Sequence, residues 1–266
     1  MLRALIWDVD GTLAETEEEG HRQAFNQVFA EQGLPWHWDE ARYGELLAIT
    51  GGKERLLHAW RQTDPAAAAA PGAAQRVAHL HARKTAIYLE RVDAGAVVLR
   101  PGVHRLLSQA RQQGLLLAIA TTTTPANVQG LLSATLGPAS LSWFNCIAAG
   151  DEVARKKPAP DVYQRVLQQL GLPADDCLAI EDSAVGAESA CAAGLAVLVT
   201  RSRYSRADAL PPVLADLDGL GEPGAPARGQ VFDRPAGQPW QGVVDVGWLR
   251  QWQAAATAPA QATTGR

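Results

Sequence analysis

Cysteine is scarce in this chain: three residues, Cys146, Cys177 and Cys191, lie scattered over 266 positions. An odd number at such spacings excludes a disulfide framework and offers no metal-binding pair, so reduced, mostly buried thiols are expected. Long apolar runs are also missing. The apolar stretch at residues 1–7 turns acidic at Asp8, too soon for a signal peptide or a membrane span. A cytoplasmic protein with no membrane partner is therefore expected. Nor is there an excess of positive charge. With 24 Lys and Arg against 28 Asp and Glu, the net charge of −4 supplies no general field for nucleic acid or anionic lipid. An anionic substrate would have to be captured by a local cluster of cations. What the chain does have is 47% hydrophobic and 20% charged residues, the balance of an ordinary globular protein with a sizeable core.

Short apolar runs at 2–7, 115–120, 144–148, 178–180 and 196–199 each end in polar residues. Helical patterns lie between them, near 103–113, 125–136, 160–170 and 184–193. Strands alternating with helices predict an α/β fold with a parallel sheet flanked by helices. The strands are continuously apolar rather than alternating, as strands covered on both faces should be. From 16 to 94 only helical spacing occurs, with Phe25, Val28 and Phe29 at i, i+3, i+4 and Leu56, Leu57 and Trp60 repeating it. A helical domain inserted after the first strand is expected there, interrupted at 65–72 by a low-complexity link of alanines between prolines. The core then comprises 1–15 and 95–220. Residues 221–266 form an irregular C-terminal extension rich in Gly, Pro and Ala, with a short strand or helix near 243–252 and a mobile end beyond 255. Internal repeats are not found.

Four motifs sit at the ends of these strands. In Asp8-Val9-Asp10-Gly11-Thr12, residues i and i+2 of an extended chain point the same way, so two carboxylates can face one site. One can attack as nucleophile while the other moves protons. Gly11 permits a tight turn with backbone close to an anion. The hydroxyl string at 121–124 follows the second strand and precedes a helix, a natural phosphate cradle or a plain helix cap. Lys156-Lys157-Pro158 follows the third strand, where a fixed lysine can neutralise a carboxylate and a transferring phosphoryl group. Glu181-Asp182-Ser183 follows the fourth. Adjacent acids there suit a hard divalent cation, or else cap the next helix.

Asp-x-Asp-Gly-Thr, hydroxyl, Lys-Pro and Glu-Asp-Ser, in this order, resemble the four signatures of the haloacid dehalogenase (HAD) superfamily, and 16–94 looks like its cap domain. The resemblance spans roughly residues 1–220. It implies a Rossmannoid core and a hydrolase that forms an aspartyl-phosphate on Asp8. Asp10 would be acid and base, and Thr121 and Lys157 would hold the phosphoryl oxygens. It also implies Mg2+ held by Asp8, the Asp10 carbonyl and Asp182, with Glu181 at or beside the metal. Within the superfamily the chain resembles CbbY-type phosphatases of the Calvin–Benson cycle. Glu17, His21, Trp36-His37-Trp38-Asp39, Tyr43 and Thr50-Gly51-Gly52-Lys53-Glu54-Arg55 carry that match, together with 118–124 and 156–163. It implies a hydrolase of a small sugar phosphate, xylulose 1,5-bisphosphate; a monomer is expected. The substrate contacts would be Glu17, His21, Tyr43, Gly51, Gly52, Lys53, Arg55 and Thr122. Phosphoglycolate phosphatase, β-phosphoglucomutase and a non-catalytic binding module are the alternatives.

Overall fold

The first strand, β1 (Ala4–Trp7), is buried at all four positions and lies inside a sheet. The computed structural model describes residues 1–150, 152–232 and 240–257. β1 pairs in parallel with β2 (Leu116–Ala120) on one side and β4 (Cys177–Glu181) on the other, Ala4 lying opposite both Leu116 and Cys177. β3 (Cys146–Ala148) extends the sheet beyond β2, and β5 (Ala196–Thr200) extends it beyond β4. Two strands of three residues follow: β6 (Ala215–Leu217), parallel to β5, and β7 (Gly229–Val231), antiparallel to β6. The sheet order is β3-β2-β1-β4-β5-β6-β7.

Side-chain alternation divides this sheet into a bulky face and a small one. Leu5, Trp7, Leu117, Ile119, Leu178, Ile180 and Leu198 pack with the helices α6 (Val103–Gln112), α7 (Pro125–Leu136) and α10 (Val246–Thr257). On the opposite face Ala4, Ile6, Ala118, Ala120 and Ala179 let α8 (Asp161–Leu170) and α9 (Ala184–Ala192) approach closely. Burying both faces is what makes the strands read as unbroken apolar runs. Because the chain runs from β1 to β2 and β3 on one side and then crosses back to β4 on the other, the carboxyl ends of β1, β2 and β4 enclose a crevice, the place where ligands bind in open parallel sheets.

Residues 17–93 carry no strand. A π-helical turn (Glu17–Arg22) leads into α1 (Gln23–Glu31), followed by α2 (Glu40–Leu46), α3 (Gly52–Thr63), α4 (Pro65–Ala69) and the 21-residue α5 (Ala73–Asp93). Aromatic residues hold these helices together, with the Trp38 ring 4.7 Å from Phe25 and 4.9 Å from Phe29. The alanine-rich 65–72 segment begins with a real helix rather than a link. Pro65 occupies its first turn, and Asp64 caps it by accepting from the Ala67 amide at 2.9 Å. Where the two connections to the sheet cross, Ala14 pairs with Leu99 and the Arg100 amide donates to Leu13 O at 2.9 Å.

The C-terminal extension is more regular than its Gly and Pro content suggested, since it supplies β7 and α10. Trp252 is fully buried among the residues of the bulky face. Arg105 ties the extension down, donating to Val244 O at 2.8 Å, Gly221 O at 2.6 Å and Glu222 at 2.9 Å. Parts of the segments expected to be irregular or mobile, 233–239 and 258–266, lie outside the described residues. Among the described residues no helix is long and apolar enough to cross a membrane.

Candidate active site

Asp8 begins where β1 ends, its amide fixed to Ile180 O at 3.0 Å. Lys157 reaches it from the loop before α8. The buried ammonium donates to Asp8 Oδ1 at 2.7 Å, Glu181 Oε1 at 2.6 Å and Ala120 O at 2.9 Å, which uses all three of its protons. Tyr163 also donates to Glu181 Oε1, at 2.5 Å. Asp182 completes the group: one oxygen each from Asp8, Glu181 and Asp182 lies within 4.8 Å of the others. Ser183 caps α9 by accepting from the Gly186 amide at 3.2 Å, which leaves the Asp182 carboxylate to the site rather than to the helix. Gly11, at φ +81°, makes this approach possible, since a β-carbon there would lie 2.3 Å from Asp182 Oδ2.

The charges in this cluster do not balance. Burial pushes Asp182 well above the usual carboxylate range. It pushes Asp8 up to about 7, with Glu181 and Asp10 adding to the rise and Lys157 opposing it. One ammonium among three buried carboxylates leaves negative charge that a small dication would compensate, and hard carboxylate oxygens are its preferred ligands. The donor set therefore fits Mg2+. Glu181, already engaged by Lys157 and Tyr163, stands at the edge of that set. Asp10 offers no side chain to it.

Asp10 turns its carboxylate the other way, toward 16–94. Thr16 donates to Oδ1 at 2.5 Å, and His21 Nε2 lies 3.0 Å from the same oxygen. The buried Lys84 ammonium sits 2.7 Å from His21 Nδ1. A charged lysine can only donate, so His21 carries its proton on Nε2 and passes a hydrogen bond to Asp10. Burial alone would raise the Asp10 pKa, but His21, Thr16 and Lys84 together hold it near 2. Burial lowers Lys84 to about 8. Lys84 and Thr16 were not singled out from sequence. The readable signal for Lys84 is its place on the apolar stripe of α5, in line with Leu80, Ile87 and Tyr88.

Two adjoining cavities of about 310 and 320 Å³ open on these groups and share Asp10, Glu17, Arg55 and Thr122. The first contains Asp8, Lys157, Glu181 and Asp182; the second contains His21, Gly51, Gly52, Lys53 and Lys84. Thr121 lines neither. It is buried, and its hydroxyl accepts from the Thr123 amide at 3.2 Å, while Thr122 faces both cavities. Tyr43 is also fully buried, so it supports rather than lines. Its hydroxyl donates to Glu17 and accepts from Arg55 Nη1 at 2.9 Å. Arg55 lies 3.9 Å from Glu17 Oε2 and donates to Leu46 O at 3.2 Å, so its charge is already partly satisfied. Contacts join residues 50–54 to the loop before α8: Thr50 donates to Lys157 O at 2.8 Å, and Lys156 pairs with Glu54 at 2.7 Å.

His81 backs the second cavity behind Gly52, where an added β-carbon would come within 2.5 Å of its Nε2. Burial first, then Lys84 and Lys53, lower its pKa from 6.5 to about 3. The folded protein keeps this ring neutral while the unfolded chain protonates it, so stability is present above pH 6.5 and is lost as pH falls toward 3. Between pH 6.5 and about 5 the parent is expected to lose roughly 2 kcal/mol through this group. Chemical denaturation of the parent and of His81→Gln at both pH values measures it. Equal pH slopes in the two proteins would show that His81 is not the source.

Similarity to known proteins agrees with this arrangement. Residues 2–194 match the family model described as a haloacid dehalogenase-like hydrolase. The plasmid-borne protein CbbY of Cupriavidus necator is 49% identical over 251 residues, covering 94% of this chain and 96% of that protein. Protein CbbY of Rhodobacter capsulatus is 54% identical over 207 residues, 78% of this chain and 88% of that one. The crystal structure of a CbbY variant from Rhodobacter sphaeroides in complex with xylulose-(1,5)bisphosphate superposes with a TM-score of 0.76 at 42% identity, over 82% of this chain and 95% of that one. The chain belongs to the haloacid dehalogenase-like hydrolase family and is a phosphatase.

Proposed function

We propose that this phosphatase hydrolyses the 1-phosphate of xylulose 1,5-bisphosphate with Mg2+ as cofactor, through a covalent phosphoryl intermediate on Asp8. The observation that carries the mechanism is the Lys157 ammonium held between Asp8 and Glu181 with Asp182 alongside. An Asp8 oxygen attacks phosphorus, and the ester oxygen leaves with a proton supplied by Asp10. Asp10 then takes a proton from the water that attacks the aspartyl-phosphate, releasing phosphate and restoring Asp8. Lys157 keeps Asp8 oriented and offsets charge on the phosphoryl oxygens. Thr122, on the wall of both cavities, would contact those oxygens. Asp8, Asp182 and the Asp10 carbonyl would hold Mg2+, which when bound supplies the positive charge that phosphoryl transfer needs.

The substrate reading rests on the second cavity and on the related CbbY variant that binds the same bisphosphate. Lys53 and the amides at Gly51 and Gly52, at the start of α3, give that cavity its anion-binding character. Lys53→Ala is expected to raise KM for xylulose 1,5-bisphosphate and lower kcat/KM roughly ten- to a hundredfold, the value of one charge-assisted contact. A small ester with a single phosphate should be hydrolysed almost as before. Arg55→Ala should weaken both substrates, because Glu17 and Tyr43 lose their partner as well. Steady-state kinetics on a panel of sugar mono- and bisphosphates, with and without chelator, tests the reading. Better kcat/KM with phosphoglycolate would overturn the substrate, and full activity in chelator would overturn the metal.

A further inference from the structure

The buried residue Arg100 lies behind the site, at the end of the second connection between cap and core, and touches neither cavity. Its guanidinium nevertheless gathers backbone carbonyls from three separate segments. Nη1 donates to Gly11 O in the Asp8 loop and to Thr200 O at 2.6 Å, with Thr200 Oγ1 at 3.3 Å. Nη2 donates to Arg201 O at 2.7 Å and Asp218 O at 3.1 Å, and Nε lies 3.4 Å from Glu15 at the entry to the cap. Two of these segments, the Gly11 loop and the loop after β5, border Asp182, which Ser202 of the latter hydrogen-bonds. The α-carbon of Gly11 presses so near that a β-carbon would meet Asp182 Oδ2 at 2.3 Å and the Ser202 side chain at 3.0 Å. Ser202 in turn is anchored, its amide bonded to Ser205 Oγ at 2.9 Å. Lysine has no planar fork that could bridge several carbonyls at once, and uncharged side chains have fewer donors still.

We propose that Arg100 is a positioning residue for the metal-binding acids: by pinning Gly11 to the loop after β5 it fixes the Asp10 carbonyl and Asp182 at one separation. This rests on the Mg2+ reading above, and the test separates the two. Arg105 is the control, since it clamps carbonyls in the same manner but ties down the C-terminal extension instead. Metal-free parent, Arg100→Lys, Arg100→Gln and Arg105→Gln are titrated with Mg2+ by calorimetry, and Tm, kcat and KM are measured for each. Arg100→Gln is expected to bind Mg2+ about tenfold to a hundredfold more weakly and to lose kcat at saturating Mg2+, as removal of an outer support of a metal ligand does. Its KM should stay within about threefold of the parent, and Arg100→Lys should fall between the two. Arg105→Gln should lower Tm while leaving Mg2+ affinity within about twofold. If Arg100→Gln does not fold, Arg100→Lys carries the comparison. Unchanged affinity in the folded Arg100 variants, or an equal loss in Arg105→Gln, overturns the inference. A parent that takes up no Mg2+ overturns the metal reading itself.

Discussion

Asp8→Asn is expected to abolish turnover while leaving the metal-free protein at least as stable as the parent. Asn keeps the shape of the side chain but removes the charge that attacks phosphorus. Where nucleophile and supporting groups act as a unit, such a loss costs at least about 10⁴-fold in kcat. The stability half of the result follows from the crowding of acids. Burial raises Asp8 from 3.8 to about 7, so the folded state holds this proton more tightly than the unfolded chain does. Stability from this group is therefore complete below pH 3.8 and is lost as pH rises through about 7. Above neutrality the parent carries a buried charge that Asn does not. Lys157 loses one acceptor in the variant but keeps Glu181 and Ala120 O. Metal-free Tm measured from pH 5.5 to 8.5 should decline more steeply in the parent than in Asp8→Asn, by about a few degrees. Substantial residual activity in the folded variant would sink the covalent mechanism. A variant much less stable at high pH would show instead that Lys157 needs Asp8 more than burial opposes it.

The same crowding explains which parts of the molecule were legible beforehand. β1 to β5 stand out in the sequence because both faces of each strand are covered, so the residues are apolar up to the carboxyl ends, where Glu181 and Thr200 close β4 and β5. Asp8, Asp10, Lys157, Glu181 and Asp182 stand out because each lies at or after the carboxyl end of such a strand, and parallel pairing brings those ends together. β6 and β7 did not, because β6 carries Asp216 at its centre and β7 opens on the exposed Gly229 and Gln230. The helix at 65–69 was hidden by alanine, which favours helix without marking a face.

Contacts that depend on how the helices of 17–93 pack could not be read along the chain. Lys84 is 63 positions from His21 and meets it only when α5 packs beside the π-helical turn. Tyr163 reads as a core aromatic of α8, and only the fold places its hydroxyl on Glu181. Tyr43 and Arg55 were matched as substrate contacts. In the folded chain they first satisfy each other and Glu17, because a buried phenol and guanidinium need partners.

Asp10→Asn, two residues from Asp8, should have the opposite effect on stability and a different kinetic signature. Asp10 is held near 2, below its ordinary 3.8, by His21 and Thr16 acting against burial. A group lowered in this way contributes stability above pH 3.8 that disappears as pH falls through about 2. At neutral pH Asn forfeits it, and the buried Lys84 and His21 lose the anion they face, so Tm should fall where Asp8→Asn holds or raises it. In catalysis the ionised Asp10 of the resting protein is already the base that water activation requires. To protonate a departing alcohol it must first take up a proton, which the approach of a phosphoryl dianion would favour. Loss of both roles is expected to lower kcat for a sugar phosphate by about 10²- to 10⁴-fold. An ester of an acidic phenol needs no proton to leave, so phosphorylation of Asp8 should survive in the variant while hydrolysis of the aspartyl-phosphate stalls. Rapid mixing should then show a burst of about one phenol per enzyme followed by a slow steady rate, with label from the phosphoryl group retained on the protein. Equal slowing of phenol release and turnover would move the acid and base to another residue, with the neighbouring His21 the first to examine.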